Sequence, residues 1–328
     1  MKKRWLVTGC AGFIGSNLVS MLLSKNEHVI GVDNLSTGKW NNVDRLRNIS
    51  GLLFEFREGD ILDRPFIDSL LVDVDVVIHL AAQGSVQKSF ADVMFNNRQN
   101  VDGFVNMLLA SKEANVEKFI YASSCAVYGE TQEMPIHELV QPSPVSPYAT
   151  SKLMNDLYAD NLRSSLKPME ICGLRFFNVF GPYQDPNGDY AAVIPRWIES
   201  LMAGEKPAIF GDGTQTRDFC YVGNICELIL ELGSFKAEIG GVYNVCSGQP
   251  TSLNLLFETI RSTLEQYGHS SEFERADYLA FRPGDIVHSL GSADKAAKSF
   301  RYIPKWTLQQ GLNTIFEEQY GLTSENKE

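Results

Sequence analysis

The sequence has few of the features that membrane, metal-binding or disulfide-bonded proteins need. It contains no run of about 18 apolar residues, so no membrane span is predicted. Its five histidines are scattered without metal-ligand spacing, so no metal site is expected. The six cysteines form no C-x-x-C pair and mostly lie in apolar runs, as reduced core thiols do. We therefore expect a cytoplasmic protein without disulfides.

Positive charge is also in short supply. The formal net charge is -11, which disfavours the long-range attraction that nucleic acid or an anionic membrane requires. Hydrophobic residues make up 44% and charged residues 21% of the 328 residues, as is ordinary for a soluble globular enzyme. The length suffices for one large domain or two smaller ones. An anionic ligand must therefore be held by local groups.

Short apolar runs alternate with longer amphipathic stretches in the first half of the chain. Runs that are apolar on both faces, separated by helical patterns, are typical of a parallel sheet covered by helices on each side. The sequence therefore predicts a doubly wound α/β fold. The predicted strands are residues 5–7, 28–32, 52–56, 76–80, 119–122 and 171–177.

A second region begins near Arg175, where loops rich in Pro and Gly separate helical patterns at 193–203 and 253–266. A strand pattern at 241–245 is expected to return to the first sheet. We therefore assign residues 1–174 to the first domain, with 218–247 returning to it, and residues 175–328 mostly to a smaller α/β domain. Within this region, Asn224 is expected to cap the helix that follows it.

A glycine stands at every third position, Gly9, Gly12 and Gly15, between the first strand and a helical pattern. Such a turn lets the backbone approach a pyrophosphate, whose charge then faces the helix N-terminus. Asp33 ends the second strand, where it would accept hydrogen bonds from ribose hydroxyls and repel a 2′-phosphate. This predicts NAD rather than NADP, although Lys39 lies near enough in sequence to leave the preference open.

The segment from Ser124 to Lys152 carries the candidate chemistry. Tyr148 and Lys152 are four residues apart, so on a helix the phenol and the ammonium share one face. A tyrosine acting as a base near neutrality needs its pKa lowered by about 3 units, or roughly 4 kcal/mol, and a fixed cation can supply much of that. The alternative is an ordinary amphipathic helical face.

Combined with further motifs, these residues resemble the extended short-chain dehydrogenase/reductase superfamily, in its nucleotide-sugar epimerase and dehydratase branch. The narrower resemblance, carried by residues 184–188 and 191–195, is to the UDP-N-acetylhexosamine 4-epimerases of bacterial surface-polysaccharide (O-antigen) pathways. The motifs that carry the broader resemblance are Gly9-x-x-Gly12-x-x-Gly15, Leu80-Ala81-Ala82, Asn100-Val101-Asp102-Gly103, Val127-Tyr128-Gly129, Tyr148-x-x-x-Lys152, Phe210-Gly211-Asp212-Gly213, Arg217-Asp218 and Arg282-Pro283-Gly284-Asp285.

The resemblance implies a Rossmann domain that binds NAD and a smaller domain that binds a UDP-sugar. It implies that Ser124, Tyr148 and Lys152 are catalytic. The cofactor residues it implies are Gly9, Gly12, Phe13, Ile14, Gly15, Asp33, Asn34, Asp60, Ile61, Leu80, Ala81, Ala82 and Asn100, together with Tyr148 and Lys152, although Gly59-Asp60 could equally be a turn. The substrate residues it implies are Gly84, Ser85, Ser124, Asn178, Ala192, Val193, Phe210, Arg217, Arg282, Asp285 and Ser289.

Within this set, the resemblance assigns particular roles. Arg217 and Arg282 would clamp the pyrophosphate with charge-assisted hydrogen bonds, and Asn178 would donate to the same group. Phe210 would pack on the uracil. Ser289 resembles a gate position at which a small residue admits a 2-N-acetyl group. The alternatives are interdomain ion pairs for the arginines and a plain polar loop residue for Ser289.

Epimerisation is favoured over dehydration because Cys125 and Ala126 follow Ser124, where dehydratase relatives carry an Asp-Glu pair. Neither residue is a suitable acid or base. The resemblance therefore implies C4 epimerisation of a UDP-N-acetylhexosamine. UDP-glucose or UDP-uronate 4-epimerisation, a UDP-sugar decarboxylase and a non-catalytic NAD-binding scaffold remain alternatives. Apolar positions in the helical patterns 104–109 and 153–162 would suit the homodimer common in the family, or ordinary core packing.

Overall fold

The computed structural model describes residues 2–187, 192–269, 272–281 and 287–323. The strands are β1 (Arg4–Thr8), β2 (His28–Asp33), β3 (Phe54–Glu58), β4 (Val76–His79), β5 (Lys118–Ser124), β6 (Glu170–Phe176), β7 (Val179–Phe180), β8 (Ala208–Phe210), β9 (Thr216–Asp218), β10 (Cys220–Tyr221), β11 (Gly240–Val245), β12 (Pro250–Ser252) and β13 (Asp277–Leu279). The helices are α1 (Phe13–Ser24), α2 (Trp40–Ser50), α3 (Arg64–Leu70), α4 (Val86–Ala91), α5 (Val93–Asn97), α6 (Gly103–Glu113), α7 (Pro147–Leu162), α8 (Val193–Met202), α9 (Val222–Ser234), α10 (Leu253–Gln266), α11 (Asp294–Phe300) and α12 (Leu308–Glu318). A π-helical turn, Arg98–Asp102, joins α5 to α6, and a 3₁₀ turn, Cys125–Tyr128, follows β5.

The central sheet has seven strands in the order β11-β6-β5-β4-β1-β2-β3. Strands β1 to β6 pair in parallel, with β1 between β2 and β4. Helices cover both faces of such a sheet, which is why its inner strands are apolar throughout. The doubly wound α/β prediction is confirmed. Because every parallel strand ends at the same edge, the residues after β1, β2, β4 and β5 collect there.

The chain divides into two compact units. Unit 1 comprises residues 1–130, 138–176 and 225–244, and unit 2 comprises residues 131–137, 177–224 and 245–328. The chain passes from unit 1 into the main part of unit 2 after Phe176, two residues beyond the boundary at 174 that the sequence suggested. The returning segment is 225–244 rather than 218–247, and the short segment 131–137 in unit 2 had no sequence signal that we recognised.

Each unit has its own buried core. In unit 1, the rings of Phe104, Phe119 and Tyr121 contact one another between α6 and the sheet, with the centroids of Phe104 and Tyr121 5.0 Å apart. In unit 2, Trp197 of α8 packs edge-on against Phe257 of α10, with ring centroids 6.2 Å apart. In the part of the chain that the structure describes, no helix is long and apolar enough to cross a membrane.

Two local expectations were wrong. The third strand begins at Phe54 rather than at Leu52, because Leu52 lies fully exposed in the turn before this edge strand. Asn224 does not cap a helix, since α9 already begins at Val222. Its side chain instead accepts hydrogen bonds from the backbone N–H groups of residues 305 and 306 and donates to the carbonyl of Trp306.

Candidate active site

The turn between β1 and α1 is built so tightly that two of its glycines cannot be replaced without strain. Gly9 has a φ of +72°, and a Cβ there would lie 2.8 Å from the backbone nitrogen of Ala81. A Cβ on Gly15 would lie 2.1 Å from the carbonyl oxygen of Gly9. Gly12 is the residue before α1 and donates its N–H to the same carbonyl. The first N–H groups of α1 therefore stand beside a backbone cradle without side chains, and Phe13 and Ile14 form the first turn of this helix.

Asp33 ends β2 beside this turn. Its carboxylate is 8% exposed and accepts backbone N–H groups from Ala11 at 3.0 Å and Leu35 at 2.8 Å. Burial raises the pKa of Asp33, and these hydrogen bonds oppose the rise. The side chain of Asn34 donates to Asp60 at 2.9 Å, and Asp60 also accepts the N–H of Leu62. Acceptors for ribose hydroxyls thus lie at the ends of β2 and β3.

The segment after β4 is held by buried polar groups. Thr8 Oγ1 accepts the N–H groups of Leu80 and Ala81, both at 3.2 Å, and shares a hydrogen bond with Nδ1 of His79 at 3.0 Å. Burial lowers the pKa of His79 to about 3, with Lys152 adding to the effect, so the ring is neutral. Leu80, Ala81 and the following Ala82 therefore lie in a fixed position beside Gly9.

Asn100 acts on the same segment. Its Oδ1 accepts the N–H of Gln83 at 2.7 Å, while its two amide N–H groups are shared among the Gln83 carbonyl, Asn96 Oδ1 and Ser151 Oγ, each 3.0 Å from Nδ2. The Asn100 side chain is thus occupied within the protein and connects the segment after β4 to α7. Gly84 is exposed, and a Cβ at this position would have no atom within 4 Å. Ser85 caps α4 by accepting the N–H of Lys88.

The three candidate catalytic residues come together in unit 1. Ser124 is the last residue of β5, and Tyr148 is the second residue of α7, whose N-cap Ser146 accepts the N–H of Ala149. Ser124 Oγ accepts the N–H of Ala126 and acts on the Tyr148 side chain, where it favours the phenolate. Lys152 lies one turn along α7, with its Nζ 5.9 Å from the centroid of the Tyr148 ring and 3.0 Å from the carbonyl oxygen of Ala122.

The electrostatics of this group differ from the expectation. Burial raises the pKa of Tyr148 to about 12, and the hydrogen bond from Ser124 opposes that rise. Burial lowers the pKa of Lys152 to about 8, and Asp156 opposes the fall. The expected lowering of the Tyr148 pKa rested only on the attraction between cation and phenolate, whereas removal of water from both groups dominates. Each group is therefore closer to neutral than it would be in water.

A buried polar cluster that sequence reasoning missed lies directly behind these residues. It centres on Asp156, four residues after Lys152, and includes Ser123, Tyr121, Arg175 and Tyr128. The spacing of four residues along α7 was a usable signal, because it places Asp156 on the same helical face as Tyr148 and Lys152. Among the described residues, no group of three or more His, Cys, Asp or Glu side chains could hold a metal ion.

The other candidate substrate residues lie in unit 2. Asn178 Nδ2 donates to the Asp218 carbonyl at 3.1 Å, and Arg217 donates to the carbonyls of Thr216 and Val287. Ser289 is buried, and its N–H donates to the carbonyl of Thr216 beside Arg217. Ala192 precedes α8, Val193 begins it, and Phe210 ends β8. Arg282 and Asp285 lie outside the described residues.

The family follows from comparison with known proteins. Residues 5–246 match the model of the NAD dependent epimerase/dehydratase family, and the chain belongs to this family. A putative UDP-glucose 4-epimerase from Methanocaldococcus jannaschii is 37% identical over 94% of this chain and 96% of that protein.

Two solved structures are similar over almost their whole lengths. A UDP-N-acetylglucosamine 4-epimerase from Methanobrevibacter ruminantium, in complex with UDP-N-acetylmuramic acid, superposes with a TM-score of 0.88 at 38% identity, covering 97% of this chain and 98% of that one. A UDP-glucuronic acid 4-epimerase mutant from Bacillus cereus, in complex with NAD and a fluorinated UDP-glucuronic acid, superposes with a TM-score of 0.84 at 32% identity, covering 97% and 99%.

The cofactor of this family is NAD, and the residues present fit it. The glycines at the start of α1 fit a pyrophosphate, because the tight turn at Gly9 and Gly12 puts bare backbone in front of the helix N-terminus. The buried carboxylate of Asp33 is suited to ribose hydroxyls and unsuited to a 2′-phosphate. The prediction of NAD is confirmed.

Proposed function

We propose that this protein is an NAD-dependent UDP-sugar 4-epimerase that acts on UDP-N-acetylhexosamines. The observation that carries the proposal is that Ser124 lies beside Tyr148, with Lys152 one helical turn away and no carboxylate at positions 125 and 126. Inversion at one carbon needs one acid–base couple and a hydride carrier. Elimination of water needs a further acid and base. The residue set therefore favours the epimerase side of the family.

In the proposed reaction, Tyr148 removes the proton of the sugar C4 hydroxyl while Ser124 hydrogen-bonds to the same oxygen. NAD, when bound, would supply the hydride acceptor that this oxidation and the later reduction at C4 require. Tyr148 then gives the proton back to the oxygen of the 4-keto sugar after the opposite face has been presented. Protonated Lys152 favours the phenolate form of Tyr148, and Ser124 favours it by donating a hydrogen bond. No net NADH accumulates.

The choice of an N-acetylhexosamine rests on small residues. Ser289 is a small, buried side chain next to Arg217, the proposed pyrophosphate ligand. Gly84 presents no side chain in the segment after β4, and the neighbouring Ser85 supplies a hydroxyl. We propose that Ser289 leaves room for the 2-acetamido group because its side chain is small. Arg217 and Asn178, with Arg282, would hold the pyrophosphate of the same substrate.

Incubation of the purified protein with UDP-N-acetylglucosamine, followed by chromatographic separation of the nucleotide sugars, tests the proposed activity. We expect UDP-N-acetylgalactosamine to form without a net increase in absorbance from NADH. Tyr148→Phe should abolish the conversion. Asp160→Asn, a change of the exposed carboxylate on the same helix, should leave it intact. Conversion of UDP-glucose or UDP-glucuronic acid alone would overturn the sugar assignment, and no conversion of any UDP-sugar would support the non-catalytic scaffold.

The proposed gate is tested separately with Ser289→Tyr. A phenol added to this buried position should exclude the acetamido group, so the ratio of kcat/KM for UDP-N-acetylglucosamine to that for UDP-glucose should fall by about 10-fold or more, as expected for 1–3 kcal/mol of pocket discrimination. Turnover of UDP-glucose by the same variant is the internal control. An unchanged ratio would show that Ser289 is only a polar loop residue.

We also propose that the protein forms a homodimer through an apolar face on unit 1. Helices α4, α5 and α7 pack together and expose Phe90, Met94 and Leu157. Large apolar side chains exposed on neighbouring helices are typical of interaction surfaces. In the pattern 104–109, Phe104, Met107 and Leu108 are core residues, so that part of the apolar pattern reflects packing within the chain. A cytoplasmic location and a role in surface-polysaccharide synthesis complete the proposal.

A further inference from the structure

The buried cluster around Asp156 lies where strand and helix carry the catalytic groups. Tyr121 donates its hydroxyl to Asp156 Oδ1 at 3.1 Å, and Ser123 donates its hydroxyl to Oδ2 at 3.1 Å. Between them, the carbonyl oxygen of Ala122 accepts a hydrogen bond from Lys152 Nζ at 3.0 Å. Three consecutive residues of β5 are thus bonded to two residues of α7. The next residue of the strand is Ser124.

The Asp156 carboxylate supplies the negative charge that pairs with the buried guanidinium of Arg175. Arg175 Nε lies 2.9 Å from Asp156 Oδ2, and both side chains are at least nine-tenths buried. A guanidinium does not lose its proton in proteins, so a buried arginine requires an anionic partner. Arg175 also donates to Tyr128, whose hydroxyl donates to Asn244 of β11 at 2.7 Å. Further hydrogen bonds to both Asp156 and Arg175 therefore hold the ion pair in place.

The charged and titratable groups around Lys152 are few. On α7 itself they are Tyr148 and Asp156, and from β4 the neutral His79 faces it. Tyr121 and Arg175 reach it only through Asp156. On the other elements packed against α7, the charged side chains Lys88, Arg98, Asp102 and Glu113 are exposed, and Lys112 is half-buried with its Nζ bonded to the carbonyl of Lys167. Lys118 of β5 and Glu170 of β6 pair with each other at the first residues of their strands, and Cys125 acts on Tyr148 rather than on Lys152. Asp156 is thus the anion that acts on the Lys152 ammonium.

We propose that Asp156 is a positioning residue of the reaction, which fixes the β5 end bearing Ser124 against the helix bearing Tyr148 and whose negative charge keeps Lys152 protonated during turnover. The inference rests on the proposed function and deepens it. Burial lowers the pKa of Lys152 to about 8, and Asp156 opposes the fall. Without that carboxylate, the ammonium would lose its proton at a lower pH, and the phenolate of Tyr148 would lose its cation.

The test uses Asp156→Asn and the double variant Asp156→Asn/Arg175→Met. The single change leaves Arg175 buried without an anion and is expected to lower stability, whereas removal of both charges avoids that cost. The pKa of Lys152 predicts an alkaline limb of the kcat/KM profile near pH 8 in the unaltered protein. In both variants we expect this limb to move to lower pH by about 1 unit, as loss of a nearby opposite charge predicts. Thermal unfolding checks that the double variant is folded. If the single variant is too unstable to assay, the pH profile of the double variant alone tests the proposal.

Two sets of controls separate charge from packing. Ser123→Ala and Tyr121→Phe remove hydrogen bonds to the carboxylate and keep its charge, so they should not move the alkaline limb. Asp160→Asn makes the same chemical change one turn further along α7, on the exposed face, and should leave the profile unchanged. An unmoved limb in the double variant, or an equal shift in Ser123→Ala, would overturn the proposal.

The pKa of Lys152 can also be read without substrate. In protein labelled with ¹⁵N-lysine, the Lys152 signal is identified by its absence in Lys152→Met, and its titration should shift to lower pH in the double variant. If the signal shifts while the protein converts no UDP-sugar, the electrostatic role of Asp156 stands and the proposed function fails. If conversion is normal and the signal does not shift, the role of Asp156 fails alone.

Discussion

At the scale of single residues, the candidate site contains two groups whose charged forms are both disfavoured by burial. The pKa of Tyr148 is raised to about 12 and that of Lys152 is lowered to about 8. A proton is therefore held more tightly by the phenol and less tightly by the amine than in water. Proton transfer near neutral pH then depends on groups that favour both the phenolate of Tyr148 and the ammonium of Lys152. Ser124 favours the phenolate, and Asp156 favours the ammonium.

Lys152→Met tests this dependence. Because the pKa of Lys152 is lowered to about 8, the ammonium is present below pH 8 and is lost as the pH rises through that value. We expect the variant to lose kcat/KM by about 10²-fold or more, in the range of general acid–base contributions, and to lose the alkaline limb. Steady-state kinetics between pH 6 and pH 10, at roughly one-unit intervals, measure both effects.

Lys118→Met is the matched control, because Lys118 is another buried lysine of lowered pKa, at the opposite end of β5. Its ammonium donates to the carbonyls of Leu232 and Phe235 near the end of α9. The control should lower the unfolding temperature and retain the alkaline limb. Loss of that limb in Lys118→Met would show that the pH dependence reports folding rather than Lys152.

The proximity of Tyr148 and Lys152 could be predicted from the sequence, but the electrostatics of the two groups could not. The spacing of Tyr148 and Lys152 fixes their common helical face, and the structure brings Ser124 to them. The direction of the Tyr148 pKa depends on how much water the surrounding elements remove, which no local pattern contains. Asp156 could have been found by extending the helical spacing one turn, whereas its partner Arg175 comes from a different strand.

At the scale of elements, the turn between β1 and α1 depends on the absence of side chains. In Gly15→Ala, the new Cβ would lie 2.1 Å from the carbonyl oxygen of Gly9, and backbone would have to move. We expect a loss of stability of about 1–3 kcal/mol, as for overpacking of a filled site, and a weaker affinity for NAD. Thermal unfolding and titration with NAD measure the two effects.

Gly240→Ala provides the comparison for this prediction. A Cβ at Gly240 would lie 3.5 Å from the end of the flexible Arg163 side chain, which can move aside. This variant should bind NAD as the unaltered protein does and change stability little. Equal effects of the two substitutions would mean that the cradle tolerates a methyl group at Gly15.

Strands were predicted well from the sequence where both of their faces are apolar, and less well where this is not so. Strands β1, β2, β4, β5 and β6 are apolar on both faces, and each was located within two residues at either end. Strand β3 lies at the edge of the sheet and contains the charged residues Glu55 and Arg57, so the apolar run pointed to Leu52 instead. Asn224 was misassigned because its partners at residues 305 and 306 are about eighty positions away.

At the scale of the whole molecule, the exposed apolar face of unit 1 predicts a dimer. We expect light scattering during size-exclusion chromatography to give about twice the chain mass of 36.6 kDa. The double variant Met94→Lys/Leu157→Lys places two ammonium groups on that face, and burying them in an interface would be costly. It should elute as a monomer.

Leu52→Lys is the control for the dimer, because Leu52 is a fully exposed leucine of the same unit that lies outside the α4, α5 and α7 face. It should retain the dimer mass. A monomeric unaltered protein at micromolar concentration, or a double variant that remains dimeric, would contradict the assignment of this face.

The division of the chain has a consequence for how such an enzyme can change during evolution. Ser124, Tyr148, Lys152 and Asp156 all belong to unit 1, whereas Arg217 and Ser289 belong to unit 2. Mutations that lie far apart and share no partner are expected to combine additively. Under the proposed assignment, a lineage could therefore acquire a new sugar preference by drift at Ser289 while the proposed proton-transfer residues stay under unaltered selection.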